Sequence, residues 1–181
     1  MVNERLILDH KKLQLTIKRL CYQLIENHGD FSNSVILGLQ PRGVFMADRI
    51  HKELESILKR KVLLGRLDVT FFRDDFRRRA NPLIPNATSI DFTIENKRVI
   101  LIDDVLYTGR TIRSGLDAML AYGRPADVEL MVLVDRRYSR HLPVEANYIG
   151  TQVDSISEER VRVEWKEADG KDQIILYTPE Q

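Results

Sequence analysis

The chain has 181 residues, 43% of them hydrophobic and 30% charged, with 28 basic side chains against 27 acidic and a single cysteine. That length predicts one domain, residues 1–181, with a core large enough to need no staples, and the mixture excludes a disordered or fibrous protein. A net charge of +1 excludes a global basic field for nucleic acid, Cys21 alone excludes an internal disulfide, and no apolar run approaches the roughly 20 residues of a membrane span.

The first predicted element is a helix. Leu6, Leu13, Ile17, Leu20, Leu24 and Ile25 give residues 5–27 one apolar face, with the helix running from about Lys11 and Asp9 as its N-cap. Residues 35–39 form a short continuous apolar run, hence a buried strand. Pro41-Arg42-Gly43 then turns into a second helix carrying Val44, Ala47, Ile50, Leu54 and Leu58 on one stripe. Residues 62–72 have strand character. From about 73 to 86 the chain becomes charged, holds Pro82 and Pro85 and loses its periodicity, as a lid or binding loop does. Its Arg77-Arg78-Arg79 run suits a solvated loop and phosphate attraction equally well. Residues 99–102 are the next strand and 115–122 the next helix, closed by Gly123-Arg124-Pro125. Residues 128–134 form a third apolar strand ending in Asp135, and 146–150, 161–165 and 174–177 read as short strands between polar turns. His10, His28 and His51 lack the spacing of a metal cluster and read as surface residues. Cys21 reads as a small, partly buried side chain, and Trp165 and Tyr177 as core or interface anchors.

Short strands that are apolar on both sides, alternating with helices, predict an α/β fold with a parallel sheet flanked by helices. Ligands in such sheets bind beyond the carboxyl ends of the strands. The three most polar strand exits are Gln40-Pro41-Arg42-Gly43, Asp103-Asp104 and Asp135-Arg136-Arg137. All three would open onto one crevice.

The most informative stretch is Arg98-Val-Ile-Leu-Ile-Asp-Asp-Val-Leu-Tyr-Thr-Gly-Arg-Thr-Ile-Arg113. An apolar strand runs into two carboxylates, Asp103 and Asp104, able to accept hydrogen bonds from vicinal hydroxyls or to hold a hydrated divalent cation. A small-residue turn, Thr108 to Thr111, then opens a helix, whose free N–H groups and positive dipole end suit an anion. Sugar hydroxyls beside a phosphate describe a ribose 5-phosphate. Two other readings compete. An acidic pair also serves triphosphatases, but none of the 9 glycines lies in a Gly-x-x-x-x-Gly-Lys-Ser/Thr loop. Asp103 and Asp104 as mere turn residues would not call for the Thr-Gly-Arg-Thr turn that follows.

This stretch resembles the phosphoribosyl pyrophosphate (PRPP) signature of type I phosphoribosyltransferases. Over nearly the whole chain the resemblance is to the bifunctional pyrimidine-operon regulators and uracil phosphoribosyltransferases. It is carried also by Leu67-Asp-Val-Thr-Phe-Phe-Arg-Asp-Asp75, Gly123-Arg-Pro125, Leu133-Val-Asp-Arg136, Leu142-Pro-Val and Asn147-Tyr-Ile-Gly150. The resemblance implies the type I fold, with a lid at about 73–86 and a small hood at about 136–160. It implies that Asp103 and Asp104 bind the ribose hydroxyls, and that Val105, Leu106, Tyr107, Thr108, Gly109, Arg110 and Thr111 form the 5′-phosphate turn. Pro41, Arg42 and Gly43 would face the pyrophosphate, Arg73 would close over it, and Asp135, Arg136 and Arg137 would lead into the hood that reads the base. Arg42, Arg73, Asp103 and Asp104 are the catalytic candidates, and no residue is identified as a general base. Mg²⁺ would bridge substrate oxygens, with Asp103 and Asp104 nearby.

The implied reaction is uracil plus PRPP giving UMP and diphosphate. The implied second role is binding the leader mRNA of pyrimidine genes in response to UMP or UTP, through Lys18, Arg19, Tyr22, Arg137, Arg140 and His141. Alternatives are an RNA-binding attenuator with secondary catalysis and a transferase for a purine base. Two departures bear on this. Pro41 stands where the loop usually has threonine, and Asp135-Arg-Arg-Tyr-Ser-Arg-His141 lacks the hood's usual glycine. A cytoplasmic homodimer or larger homo-oligomer without membrane contact completes the expectation.

Overall fold

The structure is a computed structural model that describes residues 4–73, 86–155 and 158–179. The apolar runs that read as buried on both sides become strands of one parallel sheet. These are β2 (Ser34–Leu39), β3 (Leu63–Leu67), β4 (Arg98–Leu106), β5 (Asp127–Arg137) and β6 (Tyr148–Asp154), paired in the order β3-β2-β4-β5-β6. Successive side chains on a strand face opposite ways, so each strand feeds two cores. Ile36, Ile100, Ile102, Met131 and Leu133 pack beneath α1 (His10–His28) and α2 (Gly43–Leu58). Val35, Leu37, Leu39, Val99, Leu101, Leu130 and Val132 pack with Ile112, Ala118 and Met119 of α3 (Arg110–Met119). Burying each such side chain contributes about 1.5–3 kcal/mol. The expected three-layer α/β architecture is therefore present.

Asp9 caps α1 as expected: its Oδ1 accepts from the Lys12 N–H at 2.8 Å. The helix ends at Gly29, whose φ of +58° lets its N–H return to the Ile25 carbonyl. Leu6 is not part of the helical stripe. It lies in β1 (Glu4–Leu8), the edge of a second sheet with the antiparallel order β1-β8-β7. β7 (Arg160–Glu164), α4 (Lys166–Asp169) and β8 (Gln173–Tyr177) complete that unit. The span of about 136–160 expected as a hood is divided between the parallel sheet and the chain that leads into this second sheet. Residues up to Arg137 and from Tyr148 to Asp154 belong to the parallel sheet, and the chain's first and last strands make the separate one.

Two strand ends shift for one reason. Strand pairing continues past the first polar residue wherever a neighbour is in register, so β4 runs through Asp103 and Asp104 to Leu106, which aligns with Asp135. β5 runs on to Arg137, opposite Asp154 of β6. β3 is shorter than the 62–72 expected and is followed by a 3₁₀ turn at Thr70–Phe72. α3 starts at Arg110 rather than 115, with a 3₁₀ turn at Leu120–Tyr122.

His28 corrects another expectation. It is buried, not at the surface, and sits among the amino ends of the parallel strands. Its Nδ1 meets Ser34 Oγ at 2.8 Å and its Nε2 meets Glu129 Oε2 at 2.5 Å. The Tyr148 hydroxyl donates to the same Glu129 oxygen at 3.0 Å and accepts from Asn27 Nδ2 at 3.0 Å. Arg98 lies 3.4 Å from Glu129 Oε1. Burial lowers the pKa of His28, against the pull of Glu129, and burial raises that of Tyr148. Cys21 is fully buried, its thiol pushed up to about 12 by burial, and chemically inert.

Candidate active site

The opposite, carboxyl ends of the strands carry the candidate site. Asp103 and Asp104 are both buried near the end of β4. Asp103 Oδ1 accepts the Asp104 N–H at 2.9 Å, which turns the first carboxylate back over the strand. Burial, and then the charge of Asp104, raise the pKa of Asp103 well above the usual carboxylate range, while the Arg73 charge opposes that rise. Burial also raises Asp104, opposed chiefly by Arg42. Two adjacent acids that resist ionising together form a site that gains when an electropositive or hydrogen-bonding ligand arrives.

The loop after β2 comes within contact distance of this pair. A Cβ on Gly43 would lie 2.6 Å from the Ile102 carbonyl and 3.1 Å from Asp103 Oδ1, so only glycine permits the approach. The Gln40–Pro41 bond is cis. Arg42 does not point freely into a crevice. Its Nη2 donates to the Val163 carbonyl at 2.7 Å and to Asp169 Oδ2 at 2.6 Å, and its Nε stands 3.6 Å from Asp104 Oδ2. Arg42 therefore ties β7 and α4 to the acidic pair. Val163 and Asp169 were not singled out in the sequence, because nothing local distinguishes a strand carbonyl or one carboxylate in an acidic turn.

The Thr108–Thr111 turn leads directly into α3. Gly109 has φ +90° and immediately precedes α3. The first turn of any helix leaves N–H groups without intrahelical acceptors, and here Arg110 N–H is held loosely by Thr108 Oγ1 at 3.4 Å. The chain after β5 braces this turn: the His141 and Leu142 N–H groups both donate to the Thr108 carbonyl, at 3.0 and 3.2 Å. A Cβ on Gly109 would press on Val144 at 3.3 Å. Val105 and Leu106 are strand residues, Leu106 buried, and Tyr107 is partly exposed beside the turn.

The third strand exit also gathers here. Asp135 is buried and accepts from Arg140 Nη2 at 2.5 Å, while Arg140 Nη1 donates to the Tyr107 carbonyl. The Arg136 guanidinium stacks 4.0 Å over the Tyr107 ring and donates to Ser155 Oγ and to the Glu159 carbonyl. Burial lowers its pKa. Arg137 instead forms two bonds with Asp154, at 2.5 and 2.7 Å. Arg73 follows the 3₁₀ turn and lies close enough to Asp103 to act on its charge. The rest of the expected lid, 74–85 with Arg77, Arg78 and Arg79, falls outside the described residues, as do hood residues 156 and 157.

The six RNA candidates separate. Arg19 bonds the Ile149 and Gly150 carbonyls, the latter at 2.6 Å, and so fastens α1 to β6. Arg137 and Arg140 are held by Asp154 and Asp135. Lys18 and Tyr22, one helical turn apart on α1, remain exposed, as does His141. Among the described residues no group of three or more His, Cys, Asp or Glu is arranged to cage a metal. No helix among them is long and apolar enough to cross a membrane.

Known proteins resemble this chain in sequence and in fold. The phosphoribosyl transferase domain family matches residues 5–168. The bifunctional protein PyrR of Elusimicrobium minutum (strain Pei191) is 41% identical over 173 residues, 96% of this chain and 96% of that protein. The bifunctional protein PyrR of Bacillus cereus (strain AH820) is 36% identical over 180 residues, 98% of this chain and 99% of that protein. Among solved structures, the hypoxanthine phosphoribosyltransferase of Trypanosoma cruzi superposes with a TM-score of 0.72 at 15% identity, covering 97% of both chains. That of Staphylococcus aureus gives 0.69 at 20% identity, covering 94% of this chain and 90% of the other. At such identities the structural likeness speaks for the fold alone.

Proposed function

The chain belongs to the phosphoribosyl transferase family, and within it to the bifunctional PyrR proteins; from that premise we propose that it is a uracil phosphoribosyltransferase, joining uracil N1 to C1 of PRPP with loss of diphosphate and of the N1 proton. The observation that carries the reading is the buried Asp103–Asp104 pair, set between a glycine-tight loop and an anion turn. In this reading the two carboxylates orient the ribose hydroxyls and the α3 turn holds the 5′-phosphate. Arg42 and Arg73 meet the charge that develops on the diphosphate. Positioning and exclusion of water do most of the work, as expected where the transition state is an oxocarbenium-like sugar. Asp135, Arg136 and Tyr107 shape the base end.

Two adjacent carboxylates, outside any group of three or more metal-ligating side chains among the described residues, fit Mg²⁺, a hard cation that keeps waters and substrate oxygens in its shell. When bound it would supply charge neutralisation between the ribose and diphosphate oxygens, with Asp103 and Asp104 nearest.

The test is turnover of PRPP against a panel of bases, with the Asp103→Asn/Asp104→Asn variant as control. UMP formation that the control abolishes is expected, and purine turnover without pyrimidine turnover would overturn the uracil assignment. A second, regulatory reading rests on membership among the bifunctional proteins and on the exposed Lys18–Tyr22 pair, a charge and a stacking surface one turn apart on α1. We expect a gel shift with the leader of its own pyrimidine genes that strengthens with UMP. Binding lost at moderate salt would reveal non-specific charge only. The working unit proposed is a homodimer or larger homo-oligomer, which the exposed Leu116, Leu120 and Tyr122 support and sedimentation equilibrium tests.

A further inference from the structure

Asp169 plays no part in the transfer chemistry above, yet it holds the arginine that does. A guanidinium carries five N–H donors in a rigid plane. In Arg42 the two acceptors on Nη2 are the Val163 carbonyl at 2.7 Å and Asp169 Oδ2 at 2.6 Å. Nε stands 3.6 Å from Asp104 Oδ2, within ion-pair range but beyond a hydrogen bond. Nη1 makes no hydrogen bond among the described residues. Most of the donor set of Arg42 is therefore left for a ligand, while its orientation is set by Nη2.

Asp169 is itself held in place by its own turn. Its Oδ2 accepts the Trp165 N–H at 2.8 Å, and its N–H donates to the Trp165 carbonyl at 2.6 Å, so side chain and backbone close the same loop. The loop starts from a buried anchor, since the Trp165 side chain is fully buried with the Arg49 guanidinium 4.8 Å over its ring. An ion pair between two mobile, half-exposed side chains contributes little, because ordering both offsets the attraction. Here the acid is ordered by the backbone, and Val163 gives the guanidinium a second acceptor beside it. Among the described residues the one other carboxylate within 4 Å of Arg42 is Asp104. Without Asp169 the guanidinium would close the remaining gap to Asp104. That contact would turn Arg42 away from the diphosphate and cover the acid assigned to the ribose.

We propose that Asp169 is a positioning residue that holds the Arg42 guanidinium off Asp104, leaving Nη1 for a diphosphate oxygen and Asp104 for the ribose hydroxyls. It acts through Arg42 and touches no reacting atom. The proposal rests on the reading of Arg42 and Asp104 as diphosphate and ribose sites.

Asp169→Asn keeps an acceptor for the Trp165 N–H and removes the charge that competes with Asp104 for Arg42. We expect kcat/KM for PRPP to fall about tenfold, as for the loss of one hydrogen bond between charged groups. Product inhibition by diphosphate should weaken by a similar factor, with the KM for the base within twofold. In an Arg42→Ala background the same substitution should leave kcat/KM and diphosphate inhibition unchanged, because a residue that acts through Arg42 has nothing to act on once Arg42 is gone. A fault in the turn itself would carry over into that background, so this comparison separates positioning from a merely structural role. Kinetics equal to the unsubstituted protein, a KM for the base that rises in step with that for PRPP, or a further loss in the Arg42→Ala background would overturn the proposal alone. An unsubstituted protein that turns over PRPP with no base would overturn the transferase reading and the proposal with it.

Discussion

At the amino ends of β2, β4, β5 and β6, His28, Ser34, Asn27, Glu129, Tyr148 and Arg98 satisfy one another within one hydrogen-bonded group. At the carboxyl end of β4, two carboxylates are buried side by side, with one guanidinium 3.6 Å away. Both clusters are polar, and both are buried by the same sheet. A cluster whose bonds are complete contributes to folding and has nothing left to offer a ligand. One whose bonds are incomplete destabilises the free protein, and that deficit is what a ligand relieves. On the proposed function, binding energy and folding energy are thus placed at opposite ends of the strands.

Substitutions can break that division or sharpen it. The largest effect should come from Asp103→Asn/Asp104→Asn, which we expect to lower PRPP turnover by about 10³-fold or more while raising the urea midpoint at neutral pH. A variant that loses activity and stability together would show that the pair is structural. Next comes Glu129→Ala, which strands His28 and Tyr148 and should cost about 3 kcal/mol of unfolding free energy while leaving kcat within twofold. A comparable fall in kcat would couple the two ends.

The pH dependence of stability should separate them further. The acidic pair has raised pKa values, so the folded state keeps a proton that the unfolded chain has already lost. Its contribution to stability is therefore undiminished below the ordinary carboxylate range and falls as pH rises through the folded-state values. His28 has a lowered pKa, so the unfolded chain binds a proton first as pH drops below about 6.5. Its contribution is complete above that pH and declines beneath it. Thermal melts from pH 5 to 8 should lose the first slope in Asp103→Asn and the second in His28→Gln. Identical profiles in all three proteins would refute the assignment of slopes. The smallest effect belongs to Arg19→Ala, which removes the tie to the β6 carbonyls at a cost of about 1 kcal/mol and leaves turnover unchanged, as paired urea titrations and assays would show.

What the sequence disclosed follows the same line. Apolar runs bounded by turns mark the parallel strands, and the acidic pair followed by Thr108–Thr111 marks the candidate site, because both signals are local and contiguous. His28 was legible only as a lone histidine, since its partners lie 6, 101 and 120 residues away along the chain. The same distance hid the Asp169 and Val163 clamp on Arg42. Leu6 suits the helical and the strand period alike, and only its partner on β8 decides between them. Arg19 looked like a solvated or RNA-facing side chain until β6 offered it two carbonyls.

That pairing of β1 with β8 has a consequence for how the protein is made. Glu4 lies opposite Tyr177 and Leu8 opposite Ile174, so the sheet above the site joins segments separated by almost the whole chain. During synthesis the parallel sheet has all its strands once β6 has left the ribosome, while β1 waits unpaired until β8 arrives. The long connection makes this closure the slowest contact to form. A nascent chain thus acquires the acidic pair and the Thr108–Thr111 turn before it acquires the strand and carboxylate that hold Arg42, and the tie on Arg42 is the last of these parts to be assembled.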